Sequence, residues 1–174
     1  GADVNARDDC DRTPLHLAGG EGIARLLLSR GADLEAFDKD GDTPLNLACC
    51  EGDRQLIRLL LDEGADVEAS NDEDDTPLHT TAILSNLRAA QLLLARGANV
   101  EARNNDGDTP LHLASAGDST EFVELLMEQG ANLEARDNCG NTPLHSVCKR
   151  LRHGIVEKVR LLLDLGSNVD ARNN

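Results

Sequence analysis

Four histidines occupy the same place in a repeated four-residue motif, and histidine is both a common metal ligand and a common general base. The motif reads Thr-Pro-Leu-His, and its histidines are His16, His79, His112 and His145. A metal site needs ligands that converge on one point, whereas these side chains lie one sequence repeat or more apart. We therefore expect a structural role for the four histidines and no metal at them.

Two other segments resemble ligand-binding motifs in part. Asp38, Asp40 and Asp42 alternate as calcium ligands do, but the bidentate Glu expected further along is missing and the offset of Gly41 is wrong. A hairpin turn requires the same residue types. The segment 19–22, Gly-Gly-Glu-Gly, lacks both the preceding strand and the Lys-Ser or Lys-Thr of a phosphate-binding loop. Neither segment predicts a cofactor.

The cysteines are odd in number, five, and lack the regular spacing of a secreted disulfide framework. Cys49 and Cys148 align at a small, buried position of the repeat, which predicts core residues. Cys10 and Cys139 align with each other in turns, too far apart to share a site. No nucleophile has a plausible base beside it, so we expect no enzyme activity. A reducing compartment, cytoplasmic or nuclear, is the expected location.

The composition limits the classes of partner. The chain has 174 residues, with 17 Lys and Arg against 32 Asp and Glu, and a formal net charge of -15. Nucleic acid and anionic membrane surfaces are disfavoured because phosphate contacts need clustered basic side chains. The absence of Trp and Tyr also removes a base-stacking platform. No apolar run approaches the roughly 20 residues of a membrane helix, and no signal peptide is evident. We expect a soluble monomer with one domain.

The Thr-Pro-Leu motif recurs at a nearly constant interval. Its copies open at Thr13, Thr43, Thr76, Thr109 and Thr142, so the successive differences are 30, 33, 33 and 33 residues. All five prolines of the chain lie in this motif. Each copy precedes a leucine-rich run, which is followed by a Gly. Such a period indicates a stacked array of small units.

Each repeat contains the signals for two helices and a reversing turn. Thr suits an N-cap and Pro the first helical turn, so each Thr-Pro begins a helix. The His at the third helical position can bond back towards the Thr, and Asn46 could partly replace it. Three adjacent leucines cannot share one narrow stripe, so the second helix must be covered on more than one side. The Gly after it fits a left-handed C-cap, and Asp-Gly turns lead into the next repeat.

The period of 33 residues and the sequence Thr-Pro-Leu-His-x-Ala resemble the ankyrin repeat. Five copies cover nearly the whole chain. The resemblance implies an all-α ankyrin-repeat solenoid, a single domain over residues 1–174 made of stacked helix-turn-helix units with β-hairpin-like finger loops. Residues 1–12 resemble the end of a preceding repeat with its finger, and residues 169–174 resemble the start of a further finger, as in an excerpt from a longer array.

Three departures from the repeat carry structural expectations. Repeat one is three residues short, and the segment 19–22 replaces a helix end and its turn, so its first helix should be clipped. Repeat five has three extra residues at 149–153, which predicts a longer first helix or a protruding turn. Asp11 and Asp74 stand where other fingers carry Gly, so we expect those two turns to be less regular.

The resemblance also implies where a partner binds. Ankyrin arrays usually bind proteins through the finger tips and the exposed face of the first helices, which together line a concave groove. Mapped by offset from each Thr, the expected partner-binding residues are Lys39, Asp40, Asp42, Cys50, Glu51, Asp72, Glu73, Asp75, Ile83, Leu84, Asn105, Asp106, Asp108, Ala116, Lys149 and Arg150. The leading hypothesis is a protein–protein interaction module or scaffold without a cofactor.

Two features of this groove favour a basic partner segment with an apolar anchor. The third finger, residues 71–75, is strongly acidic and would attract basic side chains, although acidic fingers also serve turn formation and solubility. Ile83 and Leu84 form a bulky apolar pair at positions that usually face solvent, as in a binding hot spot. Alternatively, Thr80 and Thr81, which replace the usual Leu and Ala, let the helix rotate so that Ile83 fills the core.

Three further alternatives stay open at the level of the sequence. The basic run 149–152 either receives an acidic patch of the partner or neutralises nearby Asp and Glu. The repeats could instead be an inert structural spacer within a longer array, with recognition elsewhere. Asn5 matches the hairpin asparagine that is hydroxylated in some ankyrin proteins, but the other repeats carry Glu or Asp there.

Overall fold

The computed structural model describes residues 2–149 and 154–174. Its described part contains nine α-helices and no strand. The helices are α1 (Glu21–Leu28), α2 (Pro44–Glu51), α3 (Arg54–Asp62), α4 (Pro77–Ile83), α5 (Leu87–Ala95), α6 (Pro110–Ala116), α7 (Thr120–Glu128), α8 (Pro143–Lys149) and α9 (Ile155–Asp164). None of these helices has the length and apolar character needed to cross a membrane. The predicted all-α class is confirmed.

The helices form two layers that stack side by side. The first helices of the repeats, α2, α4, α6 and α8, pack on one another, and the second helices, α1, α3, α5, α7 and α9, do the same. Each of α2, α4, α6 and α8 also packs against the second helix of its own repeat. The main contacts thus join elements of one repeat or of adjacent repeats, which is the architecture of a solenoid.

The leucine-rich runs supply the core between the layers. Leu59, Leu60 and Leu61 of α3 are 4%, 0% and 8% exposed, and Leu93 of α5 is fully buried. All four belong to one continuous apolar core. Burial of a leucine side chain stabilises a fold by about 1.5–3 kcal/mol. The prediction that the second helices are covered on more than one side is therefore confirmed for α3, whereas Leu26 of α1 and Leu163 of α9 are 58% and 41% exposed.

The helix ends follow the signals in the sequence. Thr43 is the N-cap of α2, and its side chain accepts the backbone N–H of Asn46 while Pro44 begins the helix. Thr76 and Thr109 hold the same N-cap position at α4 and α6. After the second helices the chain turns through a left-handed glycine, as at Gly64 with φ of 95°. Each repeat therefore begins and ends its helix pair with its own residues.

The first and last repeats depart from the others, as their lengths predict. In repeat one, residues 14–17 form a turn where α2 and α4 have their helical counterparts, so the first helix is clipped. Leu17, in this turn, is 54% exposed. In repeat five, α8 ends at Lys149 in the described part. The predicted longer helix or protruding turn falls largely on residues 150–153, which lie outside the described residues.

One backbone hydrogen bond joins each finger to the next. The N–H of Lys39 donates to the carbonyl of Cys10, and the corresponding bonds run from Asp72 to Asp40, from Asn105 to Glu73, from Asn138 to Asp106 and from Asn174 to Cys139, all at 3.0–3.1 Å. The fingers therefore form a ladder of turns, one rung per repeat. This ladder fixes the spacing of the finger tips along the solenoid.

The prediction that the turns at Asp11 and Asp74 are less regular is wrong. Both residues take the left-handed conformation of Gly41, with φ of 59° and 56° against 76°. The N–H of Asp11 closes its turn onto Asp8 at 2.9 Å, and the N–H of Gly41 closes the equivalent turn at 3.1 Å. Aspartate is among the few residues other than glycine that tolerate this conformation, because its short polar side chain bonds locally.

Candidate protein-binding surface

The motif histidines connect successive repeats. The backbone N–H of Thr76 donates to Nδ1 of His79 at 3.2 Å, so this nitrogen is the acceptor and Nε2 carries the hydrogen. The Nε2 atoms of His16, His79 and His112 then donate to the carbonyls of Asp42, Asp108 and Asn141 in following fingers at 3.0–3.1 Å. Burial lowers the pKa of His79, which favours this neutral form. The histidines therefore position the fingers.

The alternating aspartates of the second finger form a turn. One carboxylate oxygen of Asp38 accepts the backbone N–H of Asp40 at 3.0 Å and that of Asp42 at 2.9 Å. The hairpin interpretation of these residues is thus confirmed. Throughout the described residues, no group of three or more His, Cys, Asp or Glu side chains has the geometry to hold a metal ion.

The finger bases are tied together by side-chain amides. The Nδ2 group of Asn71 donates to Oδ1 of Asp42 at 3.0 Å, and that of Asn104 donates to Oδ1 of Asp75 at 2.8 Å. These bonds point the finger tips in one direction. Of the predicted finger residues, the structure exposes Lys39, Asp40, Asp72, Glu73, Asn105 and Asp106 and leaves Asp42, Asp75 and Asp108 half-buried.

Acidic side chains of neighbouring fingers lie close enough to act on one another. The pKa of Asp42 is raised by burial and by the carboxylates of Asp38, Asp40 and Asp75, although the hydrogen bond from Asn71 opposes the rise. Like charges therefore lie close enough to penalise one another. A basic group that approached these tips would relieve that repulsion.

Ile83 and Leu84 are exposed at the end of α4. Ile83 is 49% exposed and Leu84 is 51% exposed. The buried positions of the same helix are taken by Thr80 and Thr81, which are 7% and 0% exposed, and the hydroxyl of Thr81 donates to the carbonyl of Leu78 at 2.9 Å. The helix has not rotated to bury Ile83, so of the two alternatives the exposed one is confirmed.

Corresponding positions on neighbouring helices extend this apolar surface. Ile83 lies seven residues after Thr76. The residue at the same distance from the repeat's Thr is the exposed Cys50 in α2 and the half-buried Ala116 in α6. The pKa of Cys50 is raised by burial and by nearby Asp and Glu side chains, so its thiol stays neutral. We call Cys50, Ile83, Leu84 and Ala116 the apolar strip. Glu51 is exposed beside Cys50.

The cysteines of the first helices differ from one another in burial. Cys49 is fully buried, as predicted, and burial raises the pKa of its thiol. Cys148 is exposed, so its assignment to the core is wrong. Among the described residues, α2 packs on α4, the first helix of the next repeat, whereas the main contacts of α8 are with α6 and α9. All five cysteines are free thiols.

Lys149 forms an ion pair within the protein. Its Nζ atom lies 3.4 Å from Oδ2 of Asp137, and its side chain is 56% exposed. More than half of the Lys149 side chain stays exposed although Asp137 is buried, so Lys149 remains available to a partner. Arg150, with the rest of the basic run, lies outside the described residues.

Two buried charged residues were not singled out from the sequence. Lys158 is 2% exposed and its Nζ donates to the carbonyl of Gly117, at the end of α6. Counted from the leucine-rich run, its place in the second helix is held by Leu56 in α3 and Phe122 in α7, which are 4% and 0% exposed. Asp137, 9% exposed, stands where the third and fourth fingers carry Asn71 and Asn104 and the first two carry aspartate. A charge at a position that is apolar in other repeats is the signal that identifies Lys158.

Comparison with known proteins gives the same pattern of repeats. The family model described as ankyrin repeats (3 copies) matches residues 1–71, 22–104 and 78–173. Human protein phosphatase 1 regulatory subunit 27 is 50% identical over 50 residues, 27% of this chain and 32% of that protein. Rat NF-kappa-B inhibitor alpha is 46% identical over 52 residues, 28% of this chain and 17% of that protein. The chain thus spans about a third or less of the length of these relatives.

The match to a solved structure extends over the whole fold. The crystal structure of the human ASB11 ankyrin repeat domain superposes with a TM-score of 0.88 at 30% sequence identity. The alignment covers 99% of this chain and 77% of that chain. A regulatory subunit and an inhibitor are both described by their action on another protein.

Proposed function

Because the chain belongs to the ankyrin-repeat family, we propose that it is a non-enzymatic module or scaffold that binds a partner protein through its concave surface. The bound part of the partner is a basic segment with an apolar anchor. The observation that carries the proposal is the exposed pair Ile83 and Leu84 in the repeat that follows the most acidic finger. An apolar centre with a charged rim is the usual anatomy of an interface.

The apolar strip supports the anchor. Ile83 and Leu84 are about half exposed, although most other large apolar side chains of the central repeats are buried. Removal of such area from water is favourable by about 25 cal/mol per Å². Truncation of an interface anchor costs about 2 kcal/mol or more when the anchor is a hot spot. The pair is therefore the first place to test.

Charge supports the basic character of the partner. The third finger carries four acidic residues in 71–75, and the whole chain has a formal net charge of -15. A basic segment would be attracted over a distance of about 8–10 Å at moderate ionic strength. Such attraction raises the rate of association more than the final affinity.

The anchor is tested with a matched pair of variants. Ile83→Ser with Leu84→Ser removes the exposed pair of the groove, and Ile23→Ser with Leu26→Ser removes an equally exposed pair from α1, outside the groove. Proteins captured from a lysate by the immobilised chain should be lost by the groove variant and kept by the control, with affinity reduced about 30-fold or more. Circular dichroism checks that both variants keep their helicity.

The acidic fingers are tested in the same way with the captured partner. The test variant is Asp72→Asn, Glu73→Gln and Asp106→Asn, and the control, with the same charge change on second helices, is Glu63→Gln, Glu124→Gln and Glu128→Gln. The association rate should fall with added salt, and this dependence should weaken in the test variant alone. A partner retained by both groove variants at unchanged affinity contradicts the proposal. A chain that captures nothing favours the spacer role.

We also propose that the chain works in a reducing compartment, cytoplasmic or nuclear, as a monomer. Free thiols support this location, because four of the five cysteines are exposed and would be open to oxidation elsewhere. Fluorescence microscopy of a tagged full-length protein tests the location, and analytical ultracentrifugation tests the monomer.

A further inference from the structure

Side-chain amides link the finger bases at three junctions of the solenoid. A side-chain amide donates to the preceding finger in the pairs Asn71 to Asp42, Asn104 to Asp75 and Asn173 to Asn141, at 2.8–3.0 Å. Between the fourth and fifth fingers the same two positions are Asp108 and Asp137, 29 residues apart like the first two pairs. Two carboxyl groups thus stand where those three junctions pair an acceptor with an amide donor. At the junction of the first and second fingers the two positions are a cation and an anion, Arg12 and Asp38.

The two carboxyl groups differ in how their oxygens are satisfied. Oδ1 of Asp137 accepts the N–H groups of Cys139 and Asn141 at 2.9 and 2.7 Å, and its Oδ2 accepts the side-chain amide of Asn141 at 2.7 Å. Lys149 lies 3.4 Å from the same Oδ2. By contrast, Oδ1 of Asp108 is buried and has no hydrogen-bond partner in the described structure. Asp137 is held as an anion, while Asp108 lacks the donor that its counterparts receive.

A proton on one of the two carboxyl groups would supply the hydrogen-bond donor that this junction lacks. Two carboxylates at one partly buried junction repel each other when both are ionised, whereas a carboxylic acid and a carboxylate can share one hydrogen bond. We propose that Asp108 carries a proton shared with Asp137 and that this pH-sensitive link joins the fourth and fifth fingers. The O–H of Asp108 takes the part played by the amide N–H at the other junctions.

The surrounding charges agree with the proton on Asp108. Its pKa is raised by burial and by the negative charges of Asp137 and Asp106, against the opposing effects of His112 on α6 and Lys149 on α8. For Asp137, burial acts to raise the pKa, but the hydrogen bonds from Asn141 and Cys139 and the charge of Lys149 outweigh it and lower the pKa. Environments that separate two acids in this way place the proton on the first of them.

The sign of the effect follows from linkage. The folded chain binds this proton more tightly than the unfolded chain does, so the link stabilises the fold at low pH. The contribution is lost as pH rises through the folded-state pKa of Asp108. The end of the groove that carries Lys149 should therefore loosen as pH rises, independently of any partner.

The replacement Asp137→Asn provides the matched test, because it restores the carboxylate–amide pair of the other junctions. The variant should melt above the wild type by about 2–4 °C at pH 8, and the difference should shrink towards pH 4. Asp108→Asn, which imitates the protonated acid, should also melt above the wild type at pH 8, with a difference that shrinks towards pH 4. Asp72→Asn, an equal charge change at the exposed tip of the third finger and not among the groups that shift the pKa of Asp108, should show no such trend.

Carboxyl-carbon NMR titration gives a direct readout. In the wild type, Asp108 should titrate above the range of an ordinary aspartate, and in Asp137→Asn its midpoint should fall. The proposal is overturned if Asp108 titrates in the ordinary range, or if the melting difference of both Asn variants is the same at every pH.

Discussion

At the scale of single residues, Asn46 shows what the motif histidine contributes. Its Oδ1 accepts the N–H of Thr43 at 3.2 Å, so it reproduces the contact that His79 makes with its own Thr. Its Nδ2 is buried and has no partner in the described structure. His79 instead reaches a carbonyl in the following finger at 3.1 Å. The amide is too short to make the second connection.

Asn46→His should therefore stabilise the protein. The substitution removes an unsatisfied buried donor and adds a hydrogen bond to the third finger, for a gain of about 1–2 kcal/mol. The midpoint of urea unfolding measures it. His79→Asn is the reciprocal variant and should lower the midpoint by a similar amount. An unchanged or lower midpoint in Asn46→His would show that the larger ring is not accommodated.

At this scale, contacts within one repeat could be predicted from the sequence, whereas contacts between two repeats could not. The bond from each histidine to its Thr lies within four residues and was predicted. The exposure of Cys148 depends on which helix covers α8, and the pairing of Asp108 with Asp137 depends on contact across 29 residues. The position of a residue relative to the Thr of its own repeat predicts neither the exposure of Cys148 nor the pairing of Asp108 with Asp137. For Ile83 the sequence left two alternatives, because helix rotation is decided by packing.

At the scale of elements, the finger turns depend on one left-handed residue each. A Cβ atom at Gly41 would lie 2.7 Å from the backbone nitrogen of Asp72 in the next finger. Asp74 carries a Cβ at the equivalent place, yet the bond from the N–H of Asn105 to Glu73 is still 3.0 Å. The fingers thus tolerate aspartate but not without conformational cost.

Asp74→Gly should stabilise the third finger, while Gly41→Ala should destabilise the second. A residue other than glycine in the left-handed region costs about 1 kcal/mol. Asp74→Gly should therefore raise the free energy of unfolding by that amount, and Gly41→Ala should lower it by a similar amount. Thermal melting measured by circular dichroism gives the comparison. Destabilisation by Asp74→Gly would mean that the aspartate side chain contributes more than its backbone strain costs.

The elements themselves were largely predictable. Thr-Pro starts, leucine runs and glycine ends gave the helix pairs, and the missing residues of repeat one gave its clipped helix. The regularity of the turns at Asp11 and Asp74 was misjudged because the rule that left-handed turns need glycine was applied without the exception for aspartate. The residue types of these two turns were therefore enough to predict their regular conformation.

At the scale of the whole molecule, stacking turns one repeat's surface into a groove. Each repeat contacts its neighbours through the same positions, so equivalent residues such as Cys50, Ile83 and Ala116 come into line on adjacent helices. The placement of the candidate site could therefore be predicted from offsets alone. Its partner could not, because charge and apolar area specify a class of ligand and not an individual protein.

The same charge that attracts a basic partner should weaken the fold. Stacking brings acidic fingers together in a chain whose formal net charge is -15, so their mutual repulsion opposes folding. Sodium chloride screens that repulsion, and we expect the urea midpoint at pH 8 to rise between about 0.02 and 0.5 M salt. The rise should be smaller in Asp72→Asn, Glu73→Gln, Asp106→Asn than in the control with neutralised second-helix glutamates. Salt should thus stabilise the free chain while it slows binding of a basic partner. Equal salt dependence in the two variants would mean that the repulsion is spread over the whole surface and that the fingers have no special part in it.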